Sequence, residues 1–168
     1  MYTFKVEIDN DPIDPRELHD VTKLICFHKR YSLGDKHDYK AADYNSFDEM
    51  KRAIIKAEKP AVILPLYMYD HSGIALSTTP FSCRWDSGQL GFALIKKDSK
   101  RLTAKEKERL TKVLLACVEE YSQYINGEVY MYTVYDENED VVECVGGYYK
   151  EEDAEEDAKD VIARLEKK

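Results

Sequence analysis

The chain has 168 residues and a formal net charge of −8, with 43 % hydrophobic and 35 % charged residues. This length predicts one domain, residues 1–168, that can bury a core of its own. No apolar run is long enough to span a membrane, and the first residues do not have the pattern of a secretory signal. The four cysteines are unevenly spaced, which is typical of reduced thiols and not of a disulfide framework.

Alternation, apolar periodicity and turn residues divide the chain into strands and helices. The predicted elements, in chain order, are strands over 2–9 and 21–28, a helix over 47–59, strands over 61–69, 74–78 and 90–96, a helix over 104–125, strands over 128–135 and 141–149, and a helix over 151–167. Residues 10–15 and 29–44 are predicted to be loops, and a short helix is the alternative for residues 21–28.

Local signals support several of these boundaries. Ser46 with Glu49, and Thr103 with Glu106, have the spacing of a capping box at a helix start. Pro65 removes a hydrogen-bond donor from its strand, so we expect a bulge or an open edge there. Neighbouring strands joined by short turns predict an α+β domain. Its antiparallel or mixed sheet should have about five to seven strands, with three helices packed mainly on one face.

Negative charge is concentrated in one part of the chain, residues 136–160, which we call the acidic segment. It carries twelve acidic and two basic side chains, whereas residues 1–135 carry twenty of each. Phosphate backbones are bound by clustered Lys and Arg, so we expect no direct binding of nucleic acid. A basic partner is one interpretation of the acidic segment, and a solvated helix face is the other. The candidate partner-binding residues are Asp136, Glu137, Glu139, Asp140, Glu152, Glu155 and Glu156.

The stretch 63–92 has the densest mixture of aromatic and polar residues and contains the single tryptophan, Trp85. Polar residues between apolar runs are typical of an internally hydrogen-bonded loop, so we expect Trp85 to be mostly buried. The same residues could instead line a ligand pocket, with aromatic rings as its floor. The candidate ligand-binding residues are Tyr67, Asp70, His71, Ser72, Trp85, Asp86, Ser87 and Gln89.

Signals for catalysis and for metal binding are weak. Cys83, His71 and Asp86 are the residue types of a thiol nucleophile, its base and an orienting acid, but only the fold can bring such partners together. A small buried cysteine is the plainer interpretation. The histidines lack metal-ligand spacing, and no phosphate loop or dinucleotide motif is present, so we expect no metal and no cofactor.

Residues 64–92, LPLYMYDHSGIALSTTPFSCRWDSGQLGF, resemble a motif block in a family of small uncharacterised proteins from bacteriophages and mobile elements of Gram-positive hosts. The upstream CFHKRYSLGDKH, residues 26–37, resembles the basic-aromatic segment that precedes the block in that family. The resemblance covers roughly residues 24–147. Arg84 stands where the family pattern has proline, and the spacer before the block is shorter.

The resemblance implies a phage accessory role in the cytoplasm of a bacterial host cell, and it assigns no chemistry to any residue. Together with the acidic segment, it suggests a protein that acts by binding, as a stoichiometric inhibitor of a host defence or nucleic-acid-processing component. The expected partner is a host protein with a basic surface. The alternative is a small-ligand protein or a thiol-dependent hydrolase that uses residues 70–89 to hold a nucleotide-like molecule.

Overall fold

The computed structural model describes residues 1–18, 21–96 and 101–167. Within them the chain is α+β, with seven strands in two antiparallel sheets and four helices. The elements are β1 Thr3–Ile8, α1 Pro15–Leu18, β2 Thr22–Cys26, α2 Phe47–Glu58, β3 Val62–Asp70, β4 Ile74–Ser77, β5 Ser87–Ile95, α3 Ala104–Ile125, β6 Tyr130–Tyr135, β7 Val141–Tyr148 and α4 Glu151–Leu165. The predicted fold class, strand number and three long helices are confirmed.

The chain packs as two compact units, and that it forms one domain stays a prediction. The first unit contains Met1–Asp14 and Gln123–Lys168. Its sheet has the order β1-β6-β7, and α4 packs against all three strands. Apolar residues on one face of α4 pack against alternate residues of β6. This pattern follows from the 3.6-residue period of a helix and the two-residue period of a strand. The buried core of this unit consists of Tyr132, Val134, Ala154, Ala158 and Val161.

The second unit, Pro15–Ser122, has a sheet of order β2-β5-β3-β4. Ile25 of β2 packs with Met50 and Ile54 of α2. Thr22, three residues earlier on the same strand, contacts Cys117 of α3 through Oγ1 and Sγ, 3.3 Å apart. Residues three apart on a strand point to opposite faces, so α2 and α3 cover opposite faces of this sheet. The arrangement differs from the expected single sheet with helices mainly on one face.

Pro65 lies where the sequence predicted an irregularity. It pairs with Phe92 of β5, and the register shifts between Leu66 and Tyr67, next to it in the chain. On its other side β3 pairs with β4 only from Tyr67 onward, so β3 has an open edge at Pro65. Both features tolerate the missing N–H.

Helix α2 begins as predicted. Glu49 N donates to Ser46 Oγ at 3.2 Å, and the Glu49 carboxylate accepts from the N–H of Asn45 at 2.8 Å. Helix α3 has the reciprocal box, in which Thr103 N donates to Glu106 Oε2 at 2.7 Å. Each box satisfies backbone donors that the first helical turn leaves unpaired.

The short helix α1 was not predicted, because NDPIDP reads as a loop. Its Arg16 side chain is only 5 % exposed. The guanidinium donates to both carboxylate oxygens of Asp35, at 3.1 and 2.8 Å, and to the carbonyl of Thr22 at 2.8 Å. Asp35 also accepts from the N–H of Leu24 at 2.6 Å. This network ties α1 and the loop that follows β2 to β2 itself.

Candidate functional site

An open cleft of about 340 Å³ lies in the second unit, where β2 and β3 end and β5 begins. We call it the Trp85 cleft. Its walls carry two carboxylates, a guanidinium, an imidazole and aromatic rings. The residues that line it are Phe27, His28, Arg30, Met68, Asp70, Trp85, Asp86, Ser87, Gly88, Gln89 and Leu90.

The loop that carries Trp85 is held by its own hydrogen bonds. The N–H of Asp70, at the end of β3, donates to the carbonyl of Asp86 at 2.8 Å. Ser87 Oγ donates to the carbonyl of Cys83, and the Cys83 thiol lies 3.6 Å from Asp86 Oδ2. These contacts close the residues on both sides of Trp85 into a compact turn. The expectation of an internally hydrogen-bonded loop is confirmed.

The prediction that Trp85 is mostly buried is wrong, because the side chain is 96 % exposed. The polar groups of the loop satisfy one another without enclosing the indole. The apolar contact with β3 is made instead by Phe81, whose ring centroid lies 5.7 Å from that of Tyr69. The loop therefore presents its largest apolar side chain to solvent while its backbone is fixed.

One wall of the cleft comes from the segment after β2, whose role was not predicted. His28 Nδ1 accepts from the N–H groups of Arg30 at 3.2 Å and Tyr31 at 3.1 Å, and its ring stacks on Tyr31 with centroids 4.9 Å apart. With Nδ1 an acceptor, the neutral ring carries its proton on Nε2. The Arg30 guanidinium lies 3.4 Å from Asp70 Oδ2 and 5.6 Å from the Tyr31 centroid.

The signal for this wall was in the sequence, in the basic-aromatic segment CFHKRYSLGDKH. What the sequence did not show is the pairing that places it. β2 runs antiparallel to β5, with Cys26 opposite Gly91, and the N–H of Phe27 donates to the carbonyl of Leu90 at 2.8 Å. That bond extends the β2–β5 ladder by one residue and places His28 beside the start of β5.

The predicted ligand-binding residues divide into two groups. Those in the cleft are Asp70, Trp85, Asp86, Ser87 and Gln89. Tyr67, His71 and Ser72 do not line it. Tyr67 points to the face of β3 opposite Met68, which does line the cleft, because successive strand residues alternate. Ser72 lies in the β3–β4 turn with a left-handed φ of 58°.

The three residues considered for thiol catalysis lie close together but in an unproductive order. Asp86 Oδ2 is 3.6 Å from Cys83 Sγ and 3.4 Å from His71 Nδ1. The carboxylate therefore stands between the thiol and the imidazole. A base that activates a thiol contacts the sulfur itself. The arrangement suits a structural contact better than a nucleophile with its base.

The predicted partner-binding residues of the hairpin turn are well ordered by hydrogen bonds. Asp136 Oδ1 accepts from the N–H groups of Asn138 at 2.8 Å and Asp140 at 3.0 Å. Backbone donation from Asp140, and then from Asn138, holds the pKa of Asp136 below its usual range. Glu137 lies 3.6 Å from the terminal amine. The Asp136 carboxylate is therefore engaged in hydrogen bonds within the turn. Glu137, Glu139 and Asp140 are exposed.

On α4 the acidic side chains surround a small apolar stripe. Glu152 and Glu156 are exposed, whereas Glu155 pairs with Lys159 at 2.8 Å. Helix α4 packs on the sheet mainly against β6 and β1, and less against β7. The exposed face of this helix is strongly negative over its first two turns.

The described residues contain neither a metal-ligand cluster nor a membrane-spanning helix. In 1–18, 21–96 and 101–167, no group of three or more His, Cys, Asp or Glu side chains could hold a metal ion. No helix in the described part of the chain is both long and apolar enough to cross a membrane.

No protein-family model, curated protein or solved structure matches the chain.

Proposed function

We propose that this protein acts by binding another protein, with the Trp85 cleft as a contact surface. The observation that carries the proposal is the fully exposed indole of Trp85 on a hydrogen-bonded loop. Trp, Tyr and Arg are the residues most enriched at the energetic centres of protein interfaces. Trp85 and Arg30 line this cleft, and Tyr31 stacks on the lining residue His28. A loop that is already ordered loses little entropy on binding.

The partner in this proposal is a basic protein of a bacterial host cell. The resemblance to phage and mobile-element proteins suggests an accessory role, and the acidic segment suggests the charge of the partner. Proteins that process nucleic acid carry basic surfaces, which an acidic protein can occupy. Inhibition of a host defence or nucleic-acid-processing component is the form of binding that fits both features.

Capture from a lysate of a Gram-positive host tests the proposal. Tagged protein should retain a specific partner that mass spectrometry identifies, and Trp85→Ala should lose it. Ile55→Ala, at a 41 % exposed apolar position on α2, is the matched control and should retain it. Equal capture by the wild type and by Trp85→Ala would contradict the role of the cleft.

A second arm tests the acidic surface. Reversal of Glu152, Glu155 and Glu156 to Lys should abolish capture, and added salt should weaken the wild-type complex, since exposed charges are screened. Acidic residues stabilise the amino terminus of a helix, so the reversal could destabilise α4. Circular dichroism therefore checks that the helix content of the variant is unchanged. Capture that survives both the reversal and added salt would argue against a basic partner.

The alternative is that the cleft binds a nucleotide-like ligand, and the residues that line it support this alternative. Asp70, Asp86, Ser87 and Gln89 line the cleft together with an indole on which a planar ring could stack. Mass spectrometry of small molecules retained by the purified protein tests this alternative. Cys83→Ser separates it from a thiol-dependent hydrolase: an activity lost in this variant, with the fold retained, would support the enzyme.

A further inference from the structure

The outer edge of β7 is open. This strand stands at the end of the β1-β6-β7 sheet, and among the described residues it pairs with β6 alone. Its apolar side chains are unusually accessible: Val141 is 61 %, Val142 43 % and Val145 37 % exposed. An edge strand of this kind presents N–H and C=O groups that can pair with another chain.

The pairing with β1 shows which backbone groups of β6 face β7. The N–H of Asp9 donates to the carbonyl of Val129 at 2.8 Å, so the backbone groups of Val129 face β1. The β1–β6 register has no shift, and backbone groups alternate between the two sides of a strand. Tyr132 and Val134, three and five residues further on, therefore direct their N–H and C=O toward β7.

The same alternation then fixes the outer edge of β7. Tyr132 pairs with Val145, and Val134 pairs with Glu143, so these two residues of β7 face β6. Cys144, between them, must direct its N–H and C=O away from the sheet. Among the described residues, the centre of β7 thus carries a donor and an acceptor that no other strand pairs, between the partly exposed side chains of Glu143 and Val145.

Both ends of this edge are acidic. The turn before β7, residues 136–140, has four acidic side chains and no basic one. The start of α4, residues 151–157, has six acidic side chains and no basic one. Two copies of β7 paired edge to edge would bring acidic ends together in either direction, so the charge opposes self-pairing. It favours a positively charged strand.

We propose that the β7 edge takes an extended segment of a partner protein, rich in Lys and Arg, as a fourth strand of this sheet. The inference rests on the proposed function, in which the partner is basic, and it specifies how that partner is held. In strand addition, main-chain hydrogen bonds supply affinity and alternate side chains supply specificity. Basic side chains of the segment would meet the acidic ends of β7, and apolar ones would cover its valines.

A synthetic peptide tests the inference directly. The probe is a fluorescein-labelled peptide of about nine residues that alternates Lys and Val, with both termini blocked. Its binding to the full chain is followed by fluorescence anisotropy. The decisive control is the same peptide with its four central amides N-methylated, which keeps every charge but loses backbone donors. The methylated peptide should bind about tenfold more weakly than the unmethylated one, or more weakly still. A Glu-Val peptide should not bind.

A pair of variants at one position tests the edge from the protein side. Cys144→Pro removes the outward N–H without touching the ladder to β6, and proline is tolerated at sheet edges. It should weaken peptide binding roughly tenfold, whereas Cys144→Ser should bind as the wild type does. If Cys144→Pro fails to fold, the N-methylated peptide on the wild-type protein decides.

The outcomes separate this inference from the proposed function. Equal binding of the methylated and unmethylated peptides, or no binding of either, would overturn strand addition. Trp85→Ala should bind the peptide normally, because Trp85 is not part of the β1-β6-β7 sheet that takes the added strand. Partner capture that depends on Trp85 but is unaffected by Cys144→Pro would also overturn the inference and leave the proposed function standing.

Discussion

The backbone N–H of Asp70 donates to the backbone carbonyl of Asp86 at 2.8 Å, and this bond joins the last residue of β3 to the residue after Trp85. It continues the β3–β5 ladder, in which Tyr69 pairs with Ser87, by one step into the loop. The backbone beside Trp85 is thus held at the end of a sheet, although the indole is 96 % exposed. A hydrogen-bonded backbone with an exposed indole is the feature that supports binding through the Trp85 cleft.

The stability of Trp85→Ala is the first prediction. Because the indole is 96 % exposed, its truncation should change the free energy of unfolding by no more than about 0.5 kcal/mol. Phe92→Ala, at a fully buried position, should cost about 3–5 kcal/mol. Urea denaturation followed by far-ultraviolet circular dichroism makes the comparison without relying on tryptophan emission. A large loss for Trp85→Ala would mean that the indole is packed in solution.

The order in which the cysteines react is the second prediction. All four are free thiols in the structure, and Cys144 is exposed, whereas Cys26 and Cys117 are buried. Burial, with a smaller effect of the Asp35 carboxylate, raises the pKa of the Cys26 thiol to about 12. The thiolate is the reactive form. Iodoacetamide at pH 8 should therefore label Cys144 first and leave Cys26 unmodified until the protein unfolds.

Mass spectrometry of the labelled peptides checks this order, with Cys144→Ser as the control that removes the fastest site. The intact protein, measured without reductant, should show no loss of mass from disulfide formation. Rapid modification of Cys26 in folded protein, or a disulfide between any two cysteines, would contradict the prediction.

The third prediction concerns the partly buried ion pair of Arg16 and Asp35. Asp35→Asn removes the charge that faces Arg16, whose side chain is 5 % exposed, and should destabilise the fold by about 3 kcal/mol. Glu108→Gln is the matched control, since Glu108 pairs with Lys112 on an exposed face of α3 at 3.0 Å. It should cost less than about 1 kcal/mol. Similar urea midpoints for the two variants would show that the Arg16–Asp35 pair does not anchor α1.

The fourth prediction is a loss of stability at high pH. Burial, and then the neighbouring Glu58 carboxylate, raises the pKa of Tyr39 to about 12. Below pH about 10 this phenol is protonated in both the folded and unfolded chains, so its contribution to the free energy of unfolding is fully present. Above that pH the unfolded chain ionises first, so stability should fall between about pH 10 and 12.

Tyr39→Phe isolates this contribution from those of the other tyrosines. The variant should lose stability less steeply than the wild type over the same pH range, because its side chain cannot ionise. Unfolding free energies at several pH values provide the test. Parallel pH profiles for the two proteins would contradict the assignment.

Much of the fold could be predicted because its signals are local. The alternation of Tyr2, Phe4 and Val6 gave β1, and the two capping boxes gave the starts of α2 and α3. The acidic turn gave the β6–β7 hairpin. In each case the residues that determine the element lie within a few positions of one another, and the structure bears each one out.

What the sequence did not show depends on distant partners. The pairing of β1 with β6 joins residues more than a hundred positions apart, and it is this pairing that separates the strands into two sheets. Helix α1 has four residues and is held by the contact of Arg16 with Asp35, which no local pattern reveals. Trp85 was expected inside because its loop is rich in polar groups. Those groups pair with one another and with nearby residues, as Ser87 Oγ does with the Cys83 carbonyl and Asp86 with the Cys83 thiol, and they leave the indole outside.

Because Trp85 is the single tryptophan, one resonance reports directly on binding through the Trp85 cleft. The protein labelled with 5-fluorotryptophan should give one fluorine NMR signal, at the position of a solvent-exposed indole. Addition of lysate from a Gram-positive host should shift or broaden this signal, and protease treatment of the lysate should abolish the effect. A signal that stays unchanged while the same sample captures a specific partner would contradict binding through the Trp85 cleft.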